Sequence, residues 1–189
     1  MNLILVRHGE IFSNIKKIYA GKSQESLTPE GICQAEEVAE RLASLKIDTI
    51  YTSPIQRAVQ TAEIISAKLG KDIISDNAFR EMEMGPWEGL SESDVARLYP
   101  EEMNIWLTRP AELSLPGRET LKELQERVLN GIKIKEVTVN RVLIVTHVAV
   151  IRVILLWHAG KNLNLYKTIN VPNAAVFNID ITPDRFQKT

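Results

Sequence analysis

Apolar and polar residues follow two different periods along this chain. Leu3–Val6 is an unbroken apolar run, the pattern of a strand buried on both faces of a sheet. In SLTPEGICQAEEVAERLASLKI, the residues Ile32, Ala35, Val38, Ala39 and Leu42 return at helical spacing, with Thr28 placed as N-cap and Pro29 at the first helical position. DTIYTSP predicts a short strand, Ser53-Pro54 restarts a helix through Ala67, and Asp72–Ser75 forms a brief third strand. Ser91 to Pro110 divides into one or two short helices, and Glu119 to about Lys135 forms a longer one. Arg141–Thr146 is the most β-branched run, Val148–His158 is the helix leaving it and stopping near Gly160, and Ala174–Ile181 is a closing strand. Strands alternating with helices predict one α/β domain over residues 1–189, with a mostly parallel, helix-covered sheet.

Composition narrows the classes of function. With 189 residues, 44% of them apolar, the chain has material for a single core. A net charge of −1 supplies no basic field for nucleic acid, so no nucleic-acid partner is expected. Cys33 is the sole cysteine, which removes an intramolecular disulfide and a cysteine-based zinc site; it is expected to be a small buried apolar residue. The N-terminus reads as a strand rather than a signal peptide, and the apolar stretch Val142 to Trp157 is interrupted by His147 and Arg152. The expectation is a cytoplasmic protein with no membrane partner. Dimers being the commonest assembly, a homodimer is the default.

In parallel sheets, ligands bind beyond the carboxyl ends of the strands. Arg7 and His8 stand at that end of the first strand, and His147 in VLIVTH at that end of another. YTSPIQR puts Arg57 in the first turn after a third strand. Three segments thus deliver two arginines and two histidines to one rim, beside helix N-termini, which suits a phosphate dianion. His158, in a last helical turn, is assigned to the helix dipole and not to function.

LVRHGE with Asn14 following, LTPEGICQAEEVAERL, YTSPIQRAVQTAE, FREMEMGPWEGL and VTHVAVIRVIL closely resemble the histidine phosphatase superfamily, the phosphoglycerate mutase-like proteins, from Leu3 to about Leu156. The resemblance implies a three-layer α/β/α sandwich with a lid-like helical segment at about 84–118. It implies His8 as a nucleophile forming a phosphohistidine, Glu81 as acid/base carboxylate, and Arg7, Asn14, Arg57 and His147 as holders of the phosphoryl group. Glu83 and Glu88 are neighbouring candidates for the acid. The implied activity is that of a metal- and cofactor-independent hydrolase of a small phosphomonoester, in the branch that includes α-ribazole and phosphoserine phosphatases. The alternatives are a phosphoglycerate mutase or a non-catalytic phosphate-binding module.

Three departures from the family pattern stand out. Val148 follows the second histidine where the family has glycine, Gln24 replaces an acidic residue before Leu27-Thr28, and PGRET places Arg118 near the expected pocket mouth. Arg118 there either binds an acidic part of the substrate or is a solvated loop charge. Of Trp87, Tyr99, Met103, Trp106 and Leu107 in the overlying segment, most are expected to be packing and one or two to touch substrate. Rival chemistries fit less well. Gly21-Lys22-Ser23 lacks the earlier glycine of a phosphate-cradling loop, Lys16 standing there instead. His8 and His147 without an acidic cluster, beside arginines, make a poor metal site. The family's mutases carry paired arginines for a substrate carboxylate, where this chain has only Arg109.

Overall fold

The computed structural model describes residues 1–135 and 140–182. A central sheet is built from β1 (Asn2–Arg7), β2 (Thr49–Thr52), β3 (Ile73–Ser75), β4 (Arg141–Thr146) and β5 (Val176–Asp180), in the order β3-β2-β4-β1-β5. All neighbouring pairs are parallel except β1 with β5, which is antiparallel. The helices are α1 (Phe12–Ile15), α2 (Pro29–Leu42), α3 (Gln56–Leu69), α4 (Glu92–Leu98), α5 (Pro100–Thr108), α6 (Leu121–Lys135) and α7 (Val148–Ala159).

Alternation along the strands feeds two separate cores, because successive side chains leave a strand on opposite faces. Ile4, Val6, Leu143 and Val145 pack against Val38, Ala39 and Leu42 of α2 and Ala58, Ala62 and Ile65 of α3. Leu3, Leu5, Val142 and Ile144 pack on the other face against α6, α7 and the tryptophans of the 84–118 segment. This is the three-layer sandwich expected, and double-sided burial is why β1 and β4 read as continuous apolar runs.

Local signals decided most boundaries. The Thr28 hydroxyl accepts from the Gly31 N–H at 3.0 Å, with Pro29 opening α2. The helix expected from Ser53-Pro54 begins later, at Gln56. Ser53 Oγ accepts from the Ile55 N–H and holds a turn first, and the helix runs past Ala67 to Leu69, closed by Gly70 at φ 61°. Two expectations on α2 fail: Ile32 is 43% exposed, and Cys33 is also exposed. α2 buries the stripe Gly31, Ala35, Val38, Ala39 and Leu42, which leaves Ile32 at its edge and Cys33 on the opposite side of the helix. His158 does sit in the last turn of α7, before left-handed Gly160. No helix among the described residues is long and apolar enough to cross a membrane.

Candidate active site

Parallel register brings the ends of β1, β4 and β2 level, pairing Arg7 with Thr146 and Thr52 with Val145. The ladder continues one step beyond, with His8 N–H donating to Thr146 O at 2.9 Å and Ser53 N–H to Val145 O at 3.0 Å. His8, His147 and Ser53 therefore stand side by side at the carboxyl edge. Gly9 is required here by close approach: a Cβ on it would collide with the Gly31 carbonyl of the first turn of α2.

The His8 ring has a defined proton arrangement. Nδ1 lies 2.7 Å from the Gly9 carbonyl, which can only accept, so Nδ1 carries the proton. Nε2 is therefore the acceptor nitrogen: it takes the Arg57 Nε–H at 3.2 Å, and the ring lines the cavity. Burial first, and then the fields of Arg57 and Arg7, hold the His8 pKa well below the ordinary imidazole value, so the ring is neutral. His147 is neutral for the same leading reason, with its ring 5.2 Å from that of His8. Its Nε2 pairs with Ser53 Oγ at 2.7 Å, while Nδ1, buried, has no hydrogen-bond partner among the described residues.

Both arginines are anchored by backbone carbonyls. Arg57, 1% exposed, donates to Ser23 O at 2.9 Å and to Ala20 O and Gly21 O at 2.8 and 3.1 Å. Arg7 donates to Val171 O at 2.7 Å, and burial lowers its pKa to about 10, which leaves it cationic at neutral pH. The loop gripping Arg57 is itself held by Glu88, whose carboxylate accepts from Gly21 N–H at 3.0 Å and Lys22 N–H at 3.0 Å. Asn14 Oδ1 accepts from Ile11 N–H at 3.2 Å and Asn173 Nδ2 at 2.7 Å, which leaves the Asn14 Nδ2 donor to the cavity.

Glu81 is buried, at 4% exposure, and not a solvated loop carboxylate. The Thr146 hydroxyl donates to Phe79 O at 2.7 Å and ties the Glu81 loop to the end of β4. Burial raises the Glu81 pKa, partly offset by the Met82 N–H bond at 2.8 Å and by Arg57 and Arg7. Of its sequence rivals, Glu83 is ion-paired with Arg80 at 3.2 Å and Lys22 at 3.4 Å, and Glu88 braces the loop; neither lines the cavity.

The cavity, of about 290 Å³, is lined by Arg7, His8, Asn14, Arg57 and Glu81; His147, fully buried with its ring 5.2 Å from that of His8, does not line it. Val148, in place of glycine, lines it as the first residue of α7. Gln24 has become a helix-start acceptor, its Oε1 taking the Gln56 N–H at 2.9 Å. Arg118 fits neither expectation. It is 5% exposed and stacked between Trp87 and Trp106, its Cζ 5.0 and 4.4 Å from their ring centroids, so it neither lines the cavity mouth nor meets solvent. Trp106 is the one member of its aromatic group that lines the cavity, whereas Leu107 is 53% exposed. Arg109 points away into an ion pair with Glu112 at 3.1 Å. Among the described residues no three His, Cys, Asp or Glu side chains gather to hold a metal ion.

Sequence reasoning missed Asn173, Arg152, Tyr166, Lys167, Lys17 and Glu92, which also line the cavity. Arg152 alone left a trace, as a charge in the otherwise apolar α7.

The sequence model of the histidine phosphatase superfamily (branch 1) matches residues 3–189. The chain belongs to that superfamily. It is 34% identical over 185 residues to the uncharacterized phosphatase PhoE of Bacillus subtilis, covering 97% of this chain and 90% of that protein. It is 28% identical over 177 residues to phosphoserine phosphatase 1 of Hydrogenobacter thermophilus, covering 93% and 84%. Bacillus stearothermophilus YhfR superposes with a TM-score of 0.90 at 26% identity, over 96% of this chain and 92% of that one. The histidine phosphatase fold and the phosphatase relatives thus agree with the cation-lined rim.

Proposed function

We propose that this histidine phosphatase hydrolyses a small phosphomonoester through a phosphohistidine on His8, with no metal or cofactor. The observation that carries the reading is the His8 ring: Nδ1–H is fixed on Gly9 O, which leaves Nε2 the unprotonated nitrogen, held by Arg57 Nε–H beside a cavity walled by two arginines and a buried acid. Phosphate monoesters are among the slowest esters to hydrolyse unaided, and a covalent intermediate divides the reaction into two displacements.

In the first step Nε2 attacks phosphorus and the P–O bond to the leaving alcohol breaks. Arg57, released from Nε2, joins Arg7 and Asn14 Nδ2 in donating to the phosphoryl oxygens, and His147 Nδ1, unpartnered among the described residues, joins them where a shift of the His8 ring onto phosphorus opens it to the cavity. Glu81, whose burial favours the acid form, gives its proton to the departing oxygen. In the second step the Glu81 carboxylate takes a proton from water, the hydroxide bonds to phosphorus, the P–N bond breaks, and its electron pair returns to Nε2. Phosphate leaves and the tautomer is restored.

A trapping experiment tests this reading. An alkaline quench of turnover with 32P-labelled substrate should retain protein-bound label that acid releases, and the label should be absent in His8→Ala. Activity should persist in excess chelator and fall with orthovanadate. Full activity in His8→Ala, or loss on chelation restored by a divalent metal, overturns it.

A further inference from the structure

The proton on the His147 ring decides what that residue can do for a phosphoryl group. Nε2 pairs with Ser53 Oγ at 2.7 Å, and Nδ1 is buried without a hydrogen-bond partner among the described residues. The ring is held neutral, so it has one N–H and one bare nitrogen, and the bond made at one nitrogen fixes the role of the other. As the Nδ1–H form the residue donates to an oxyanion. As the Nε2–H form it turns a lone pair toward the oxyanion and repels it.

Ser53 distinguishes the two forms. Both residues are fully buried, so their hydrogen bonds must be completed inside the protein. The Ser53 backbone is fixed, its N–H donating to Val145 O at 3.0 Å and its carbonyl accepting from the Thr52 hydroxyl at 3.1 Å. Its Oγ already accepts from the Ile55 N–H at 3.2 Å. The hydroxyl proton then needs an acceptor, and among the described residues the one within hydrogen-bond distance is His147 Nε2. A proton on Nε2 would instead aim two N–H groups at Oγ and leave the hydroxyl hydrogen buried without an acceptor, which is costly.

We propose that Ser53 is a positioning residue, whose hydroxyl donates to His147 Nε2 and so keeps the ring in the Nδ1–H form that donates to the phosphoryl group. The assignment rests on the hydrolase reading above for the use to which that N–H is put. His8 and His147 then share one tautomer for opposite purposes. The Gly9 carbonyl draws the His8 proton to Nδ1 and leaves Nε2 bare for attack, while the Ser53 hydroxyl occupies Nε2 of His147 and leaves Nδ1–H as a donor. The Nε2–H form is the commoner one for a histidine side chain free in water, so the hydroxyl acts against the intrinsic preference.

The test reads the proton directly. His8, His147 and His158 are the chain's only histidines, so 15N-histidine labelling gives three rings whose N–H and bare nitrogens differ in 15N chemical shift. In the wild-type protein at neutral pH, His147 should show a protonated Nδ1 and a bare Nε2. Ser53→Ala should move His147 to the Nε2–H form or to a mixture. It should also lower kcat/KM about tenfold, for alkyl phosphates and p-nitrophenyl phosphate alike, and weaken orthovanadate binding by a similar factor. Ser53→Cys, with a weaker donor in the same place, should lie between. A merely structural role would lower the melting temperature of Ser53→Ala and leave the His147 tautomer unchanged. The spectra and orthovanadate binding by calorimetry need no turnover, so a wild-type protein that releases no phosphate would fail the hydrolase reading and leave this one standing. Should Ser53→Ala not fold, the wild-type spectrum and Ser53→Cys decide. A wild-type His147 protonated on Nε2, a Ser53→Ala protein that keeps the Nδ1–H form, or orthovanadate binding within about twofold of wild type once the tautomer has changed overturns the proposal.

Discussion

Replacing Glu88 by Ala tests how the site is held from outside. Glu88 is solvent-exposed and absent from the cavity wall, yet its carboxylate receives the N–H groups of Gly21 and Lys22. The carbonyls of Ala20, Gly21 and Ser23 on that same loop fix three of the N–H directions of Arg57, whose Nε meets His8 Nε2 at 3.2 Å. Buried hydrogen bonds to a charged group contribute roughly 1.5–3 kcal/mol each, but water can replace this acceptor, so the loss of stability should be about 1 kcal/mol. The cost to activity should be larger in proportion. In the proposed reaction Arg57 turns to the phosphoryl group, and misplacement of such a clamp by a fraction of an ångström should lower kcat/KM about tenfold, equivalent to about 1.4 kcal/mol. The loss should be equal for alkyl phosphates and p-nitrophenyl phosphate, since no proton transfer is touched, and Glu88→Gln should lie between wild type and Ala. Urea melts and kcat/KM on both substrates measure this. A Glu88→Ala protein that loses the stability but keeps kcat/KM within twofold would show that the loop does not set Arg57, and the reasoning would fail.

Glu81→Gln should slow alkyl phosphates far more than p-nitrophenyl phosphate, whose leaving group needs little protonation; equal losses in the phosphorylation step would count against Glu81 as the acid. His8 and His147 have folded pKa values depressed below the ordinary 6.5, so below that pH the unfolded chain binds protons that the native state refuses. Their contribution to stability should therefore decline as pH falls below 6.5, by up to about 1.4 kcal/mol per pH unit for each histidine. Glu81 acts in the opposite sense, since its raised pKa makes the native state bind the extra proton above its ordinary 4.5. Denaturant melts of Glu81→Gln should accordingly show a steeper acid decline above that pH; an unchanged slope would mean that Glu81 is not held protonated. With 3-phosphoglycerate and catalytic 2,3-bisphosphoglycerate, released phosphate should exceed 2-phosphoglycerate, and the reverse ratio would make the chain a mutase.

The sequence by itself determined the sandwich and the inner rim. Leu3–Val6 reads as a strand buried on both faces and Arg141–Thr146 as the most β-branched strand, and residues directly following strands of a parallel sheet emerge at the carboxyl edge. That placed Arg7, His8 and His147 without knowledge of any contact, and Thr28 with Pro29 fixed the start of α2 by local hydrogen bonding alone. Tertiary structure decided whatever depends on neighbours distant in the chain. Glu81 lies in an irregular loop with no period to reveal burial, and the Thr146–Phe79 bond is what draws it beside β4. Arg118 shows no partner in PGRET because its partners are two indole rings brought up by separate helical turns. Ile32 has the right period but falls at the edge of the stripe that α2 turns to the sheet, and Cys33, expected inside from its residue type alone, lies on the opposite side of the helix. Arg152 and Lys167 belong to segments whose pattern reports packing, and only the folding of α7 and the Leu163–Thr168 turn over one cavity sets their charges facing the same space. Backbone geometry and burial period are local and therefore written along the chain, whereas convergence of charges from separate segments exists only once the segments are packed.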